Sequence, residues 1–315
     1  MSFKPLIIGI EGHKLLQSEI DFIGNHQPWG FILFARNIDS PCQVRDLVAS
    51  LKDSVKHENV PVLIDQEGGR VSRLSSKYWK QFKDAKFFGD IVESQGIDKA
   101  CDLVKTNFTE IAEILNDLGI NVDCAPLIDI RNDGADDIIG DRAFSDNKDI
   151  VSKLGKAACD GLIAGGVLPV IKHIPGHGRA NCDSHKELPV VNTSLDVLKA
   201  EDFIPFKALN EMPMAMTAHI KYTEIDNNHC ATMSTTILDA IRKEIGFDGI
   251  IMTDDLSMKA LEGSFEDRAI NSLKAGCDVV LHCNGEMDEM DKIANAIKAV
   301  SEIEINKFEK MWNLL

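Results

Sequence analysis

Cations are scarce in this 315-residue chain: 34 Lys and Arg stand against 50 Asp and Glu, a formal net charge of −16 at pH 7. Nucleic acids and anionic membranes are held through basic patches, so neither is an expected partner. Aromatic residues are also few, 6% of the chain with 3 Trp and 2 Tyr, too few to pave a long polymer groove with stacking faces. The eight cysteines, at positions 42, 101, 124, 159, 182, 230, 277 and 283, contain no C-x-x-C pair. Disulfide frameworks belong to much shorter secreted chains, so free thiols in a cytoplasmic protein are the expectation. The opening MSFKPLIIGIEGHKL turns charged after a short apolar run, which fits neither a signal peptide nor a membrane span. G-x-G-x-x-G is missing after the first strand, and there is no P-loop, internal repeat or low-complexity linker. Dinucleotide and triphosphate motifs are thereby set aside, and the length can serve one large core.

What is present is a regular alternation. Apolar runs at 5–10, 30–35, 60–64, 122–127, 168–171, 215–218, 249–253 and 278–282 read as strands. Helical patterns are expected near 41–56, 98–118, 148–164, 194–209, 235–245, 265–275 and 287–300. Cys101, Val104, Phe108, Ile111, Leu115 and Leu118 show the 3–4 spacing of a buried helix face, with Gly119 as its stop. Pro205 is expected to break the 194–209 stretch. Strands that alternate with helices imply a parallel sheet. Eight such units in this length favour a closed α/β barrel of the (β/α)8 kind, one domain over 1–315, above a doubly wound sheet.

Active sites of such barrels lie at the C-terminal strand ends, and the polar residues fall there. Asp65 follows the third strand, Lys172 and His173 the fifth, His219 the sixth and Asp254 the seventh; Arg142 lies in the loop after the fourth. In VLIDQEGGRVSRL (62–74), Gly68 and Gly69 permit a tight turn, and Asp acceptors with forked Arg donors suit vicinal sugar hydroxyls. Glu67 and Arg70 read as an ion pair holding that loop. In IIMTDDLSM (250–258), the strand end aims Asp254, while Asp255 points elsewhere and caps the turn. A rigidly aimed carboxylate suits a covalent glycosyl intermediate.

The stretch LPVIKHIPGHGRANCDSH (168–185) carries three histidines, a lysine and an aspartate, a loop suited to holding a sugar and supplying a proton. His173 and His177 are four apart, but Pro175, Gly176 and Gly178 exclude the helix that would make them a metal pair. Asp183 beside His185 can fix an imidazole tautomer and stabilise its protonated form; His177 reads as bonding within the loop. A metal-dependent hydrolase built on His173, His177 and His185, and a non-catalytic sugar binder, remain alternatives here.

Together, KHIPGHG followed by DSH (172–185), DQEGGRVSR (65–73), IGDRAF (139–144), MTAHI (216–220) and TDDLSM (253–258) resemble glycoside hydrolase family 3, in particular its single-domain bacterial β-N-acetylglucosaminidases of cell-wall recycling. The resemblance implies a (β/α)8 barrel and retaining hydrolysis without metal or organic cofactor. It makes Asp254 the nucleophile, His185 the acid/base and Asp183 its dyad partner. Asp65, Arg73, Arg142, Lys172 and His173 become the residues that bind the sugar. The implied partner is a small carbohydrate, a muropeptide bearing terminal N-acetylglucosamine; phosphorolysis by the same machinery is the close competitor. Larger members of the family draw their proton donor from a second domain, so here the barrel is expected to supply it. Three places depart from the family pattern and bear on substrate fit: the acidic loop 131–138, residues 179–182, and Ser72.

Overall fold

The computed structural model describes residues 2–74, 77–132 and 134–315. Eight parallel strands close into a barrel: β1 (Lys4–Gly9), β2 (Pro28–Leu33), β3 (Val62–Ile64), β4 (Val122–Asp123), β5 (Leu168–Ile174), β6 (Met214–Thr217), β7 (Ile250–Asp255) and β8 (Val279–His282). Each pairs with its chain neighbours, and β1 closes the ring against β8 through Leu6↔Val280 and Ile7↔Leu281. The expected fold is the observed one.

The strands are apolar along their length because both faces are buried. Ile7, Leu63, Val170, Met214, Ile250, Met252, Val279 and Leu281 fill the barrel interior with one cluster. Their neighbours Leu6, Ile64, Ile171, Ala215, Ile251 and Val280 join the larger cluster under the surrounding helices. This period of two fixes where each strand end points. Asp65, Lys172 and Asp254 each stand two residues beyond an inner-layer side chain (Leu63, Val170 and Met252), on the strand face that looks into the barrel mouth.

Several helices match their expected spans, Lys148–Ala164 and Phe265–Ala275 among them. The 194–209 stretch is divided into Leu195–Ala200 and Phe203–Ala208. The break lies at Glu201 and Asp202 rather than at Pro205, which sits in the first turn of the second piece, where its missing N–H is harmless. Elements not anticipated include a helix over Gln17–His26, a small hairpin, Gln66–Gly68 with Val71–Ser72, helices over Ala85–Gln95 and Glu302–Lys310, and the short pairing of Val190–Val191 with Lys221–Tyr222. No helix among the described residues is long and apolar enough to cross a membrane.

Candidate active site

At the C-terminal end of the barrel lies a cavity of about 410 Å³ whose walls include Asp65, Arg142, Lys172, His173, His185 and Asp254. Residues more than a hundred positions apart in the sequence therefore meet. Apolar side chains complete the walls, with Met216 from β6, Leu281 from β8 and Met258 beyond β7. Among the described residues Phe34 is the one phenyl ring in the lining; the guanidiniums of Arg36 and Arg73 lie 4.9 and 5.3 Å from its centroid.

One wall is a chain of alternating charges. Arg73 Nη2 donates to Asp65 Oδ2 at 3.1 Å, and Lys172 Nζ donates to Asp65 Oδ1 at 2.9 Å. The same ammonium stands 2.6 Å from Glu67 Oε1, and Arg142 grips Glu67 with Nε and Nη2 at 2.9 and 2.8 Å. Glu67 is thus not paired with Arg70, as expected from sequence. The turn at Gly68 and Gly69, both with positive φ (94° and 56°), sends the two side chains apart. Arg70 reaches Asp141 at 2.6 Å and the carbonyls of residues 137–139. Burial would push both carboxyls up, but Lys172 and Arg73 hold Asp65 below its usual range, and Arg142 and Lys172 hold Glu67 well below. Burial would also lower Lys172, yet Asp65 and Glu67 hold it above the usual lysine range.

His173 is oriented by a residue that sequence reasoning missed. Asp129, fully buried, accepts from His173 Nδ1 at 2.8 Å and from the His177 backbone N–H at 2.6 Å. Burial opposes its ionisation, but His173 and His177 hold its carboxyl below the ordinary range. The available signal was an acid directly after the apolar Leu127–Ile128 pair, at the end of the fourth strand's run. Lys172 and His173 are joined by a cis peptide.

Asp254 Oδ1 accepts the Asp255 N–H at 2.8 Å. Burial raises this carboxyl, but His219, His173, the Asp255 amide and His185 together bring it below its ordinary value. Asp255 caps the next turn, accepting the N–H groups of Ser257 and Cys283 at 3.0 Å each. His219, expected at the pocket, is instead buried beneath it. Its Nδ1 meets the Thr232 hydroxyl at 2.7 Å and its Nε2 the Asp255 carbonyl at 3.1 Å.

His185 is the exposed member of the site, with 63% of its side chain accessible, and its Nδ1 stands 2.8 Å from Asp183 Oδ1. Burial would raise Asp183, but the His185 backbone N–H and ring, with Lys186, hold it low. His173 and His177 have ring centroids 5.2 Å apart. Among the described residues no group of three His, Cys, Asp or Glu is placed to hold a metal ion.

The glycosyl hydrolase family 3 N-terminal domain matches residues 8–311. A β-hexosaminidase of Methylobacillus flagellatus is 33% identical over 302 residues, 95% of this chain and 85% of that one. One from Nitrosomonas eutropha is 31% identical over 316 residues, covering 99% and 89%. Among solved structures, NagZ from Neisseria gonorrhoeae in complex with N-trifluoroacetyl-D-glucosamine superimposes with a TM-score of 0.91 at 30% identity, over 100% of this chain and 90% of that chain. A family 3 β-N-acetylglucosaminidase from Paenibacillus gives 0.88 at 27%, over 98% of this chain and 60% of the other.

Proposed function

Because this chain belongs to glycosyl hydrolase family 3 and is a β-hexosaminidase, we propose that it is a retaining exo-β-N-acetylglucosaminidase acting on muropeptides, with Asp254 as nucleophile and His185 as acid/base. The observation that carries this reading is one cavity lined by a buried strand-end carboxylate, Asp254, and by an imidazole, His185, bonded to its own carboxylate.

The reaction runs in two displacements. A carboxylate oxygen of Asp254 bonds to the anomeric carbon as the glycosidic C–O bond breaks, and a proton from His185 goes to the departing oxygen. His185, now neutral, takes a proton from water; that water attacks the anomeric carbon and frees the Asp254 carboxylate. Asp183 accepts from Nδ1, leaving Nε2 to exchange the proton, and stabilises the imidazolium.

The sugar-binding role falls to Asp65, Arg73, Arg142, Lys172 and His173. Their ion pairs leave donors to spare. An ammonium has three N–H groups, and Lys172 gives two of them to Asp65 and Glu67. With His173 Nδ1 turned to Asp129, Nε2 remains for a hydroxyl. A 410 Å³ cavity with one phenyl ring suits a terminal sugar better than an extended polymer. In this reading the barrel carries nucleophile, acid/base and sugar-binding residues, with no cofactor in the chemistry, and eight free thiols support a reducing, cytoplasmic setting.

Hydrolysis of aryl β-N-acetylglucosaminide, β-N-acetylgalactosaminide and β-glucoside tests reaction and substrate class together. The first should be the best substrate, and Asp254→Ala and His185→Ala should each cripple its turnover while leaving thermal unfolding intact. Near-wild-type turnover in both variants would refute the assignment.

A further inference from the structure

Between residues 181 and 188, the loop that bears Asp183 and His185 buries one residue, Ser184, which is 3% exposed. Before this interval the backbone is fastened: the Tyr222 hydroxyl donates to the Gly176 carbonyl at 2.5 Å, Arg179 Nε donates to Asp202 at 2.7 Å, and the Asp136 N–H reaches the Ala180 carbonyl at 2.9 Å. After it, Val190–Val191 pairs with Lys221–Tyr222. Within it, the amides of Lys186 and Glu187 donate back to the Asp183 carbonyl at 2.9 and 3.2 Å, so 183–187 is one compact turn. What seats that turn is Ser184.

Its hydroxyl meets His177 Nε2 at 3.3 Å, and its carbonyl accepts the Ala260 N–H at 3.3 Å. The first contact leads to the sugar-binding wall, since the His177 backbone is held by the Asp129 carboxylate that orients His173. The second leads to the loop that follows β7 and Asp254. We propose that Ser184 is a positioning residue of the reaction, seating the Asp183–His185 pair against His177 and the Ala260 backbone so that the proton donor keeps its register with Asp254 and the sugar. This rests on the reading of His185 as acid/base.

The chemistry of His177 agrees with the role. Burial pushes its imidazole down to about 4, so the ring is neutral in working conditions. Its Nδ1 has no partner among the described residues, which leaves Nε2 as the edge that engages the serine. The hydroxyl can donate or accept, so a neutral imidazole of either tautomer is accommodated.

The test measures kcat/KM of Ser184→Ala on two β-N-acetylglucosaminides, one with a nitrophenol and one with an alkyl alcohol as leaving group. Misplacing a proton donor by a fraction of an ångström should cost about tenfold more on the alkyl substrate, which depends on acid assistance. Ser184→Thr, which keeps the hydroxyl, should recover most of the loss. In a His185→Ala background, Ser184→Ala should have no further effect on kcat/KM, because the group through which it acts is gone. Equal losses on the two substrates, or an undiminished serine effect without His185, would overturn the seat alone. Should His185→Ala itself lose no more on the alkyl substrate than on the nitrophenyl one, the acid/base reading falls and takes the seat with it.

Discussion

At the residue scale, two buried acids behave oppositely because their neighbours differ. Glu67 is enclosed by Lys172 and Arg142, whose side chains are 3% and 11% exposed. Glu67→Ala would leave two buried cations facing Asp65 alone, and breaking such a pair costs about 3–5 kcal/mol. The urea midpoint should fall accordingly, with affinity for the sugar falling too as Lys172 and Arg142 lose their aim. Asp123, beneath the same wall, has no salt-bridge partner among the described residues. Its Oδ1 accepts the Gln66 N–H at 2.9 Å, its Oδ2 has no partner among the described residues, and burial pushes it up to about 8. Between the unfolded carboxyl value near 4 and 8, the folded chain keeps a proton that the unfolded chain has released. Stability from this group therefore falls as pH rises through that window. Asp123→Asn, neutral and of the same shape, should gain on the wild type in urea unfolding as pH is raised from about 5 to about 8. A stability difference that stays flat with pH would show that Asp123 ionises normally.

At the scale of elements, the loop that leads to His185 is pinned at Gly176 and Gly178. Gly176 and Gly178 would serve as hinges if they stood in open space. Instead a Cβ on Gly178 would overlap the Ile130 carbonyl, and one on Gly176 would lie 3.0 Å from the Asp202 Cβ. Gly178→Ala should therefore destabilise the fold by about 1–3 kcal/mol and lower activity by shifting the loop, read from the thermal midpoint and kcat/KM together. What the sequence makes legible follows from distance along the chain. An apolar run ending in Asp65, Lys172 or Asp254 announces a strand end with a functional group, because the period of two carries the direction. The helix at Ile97–Asp117 is equally plain from its 3–4 spacing. The helix at Ala85–Gln95 is short and meets Ile97 across Gly96 with φ 84°, so its pattern hides at the flank of a stronger one. The partners of Glu67, Asp129 and Ser184 are set by loops meeting in space, 75, 44 and 7 residues apart. No local pattern encodes such meetings.

At the scale of the whole molecule, the barrel brings strand ends from across the chain to one mouth, and the functional groups take their orientation from the packing below them. Asp254 stands above Met252 and Ile250, Lys172 above Val170 and Leu168, so the same interior cluster supports the proposed nucleophile and the proposed sugar-binding wall. His185, the proposed acid/base, is carried separately, on an exposed turn. That division predicts that removing His185 leaves the first displacement possible for a substrate with a good leaving group while slowing the water attack that completes the cycle. Digestion and mass spectrometry of His185→Ala mixed with a dinitrophenyl β-N-acetylglucosaminide reads the result directly. The account predicts that the peptide containing Asp254 gains the mass of one N-acetylglucosamine residue; a label on any other residue, with Asp254 unmodified, would contradict it.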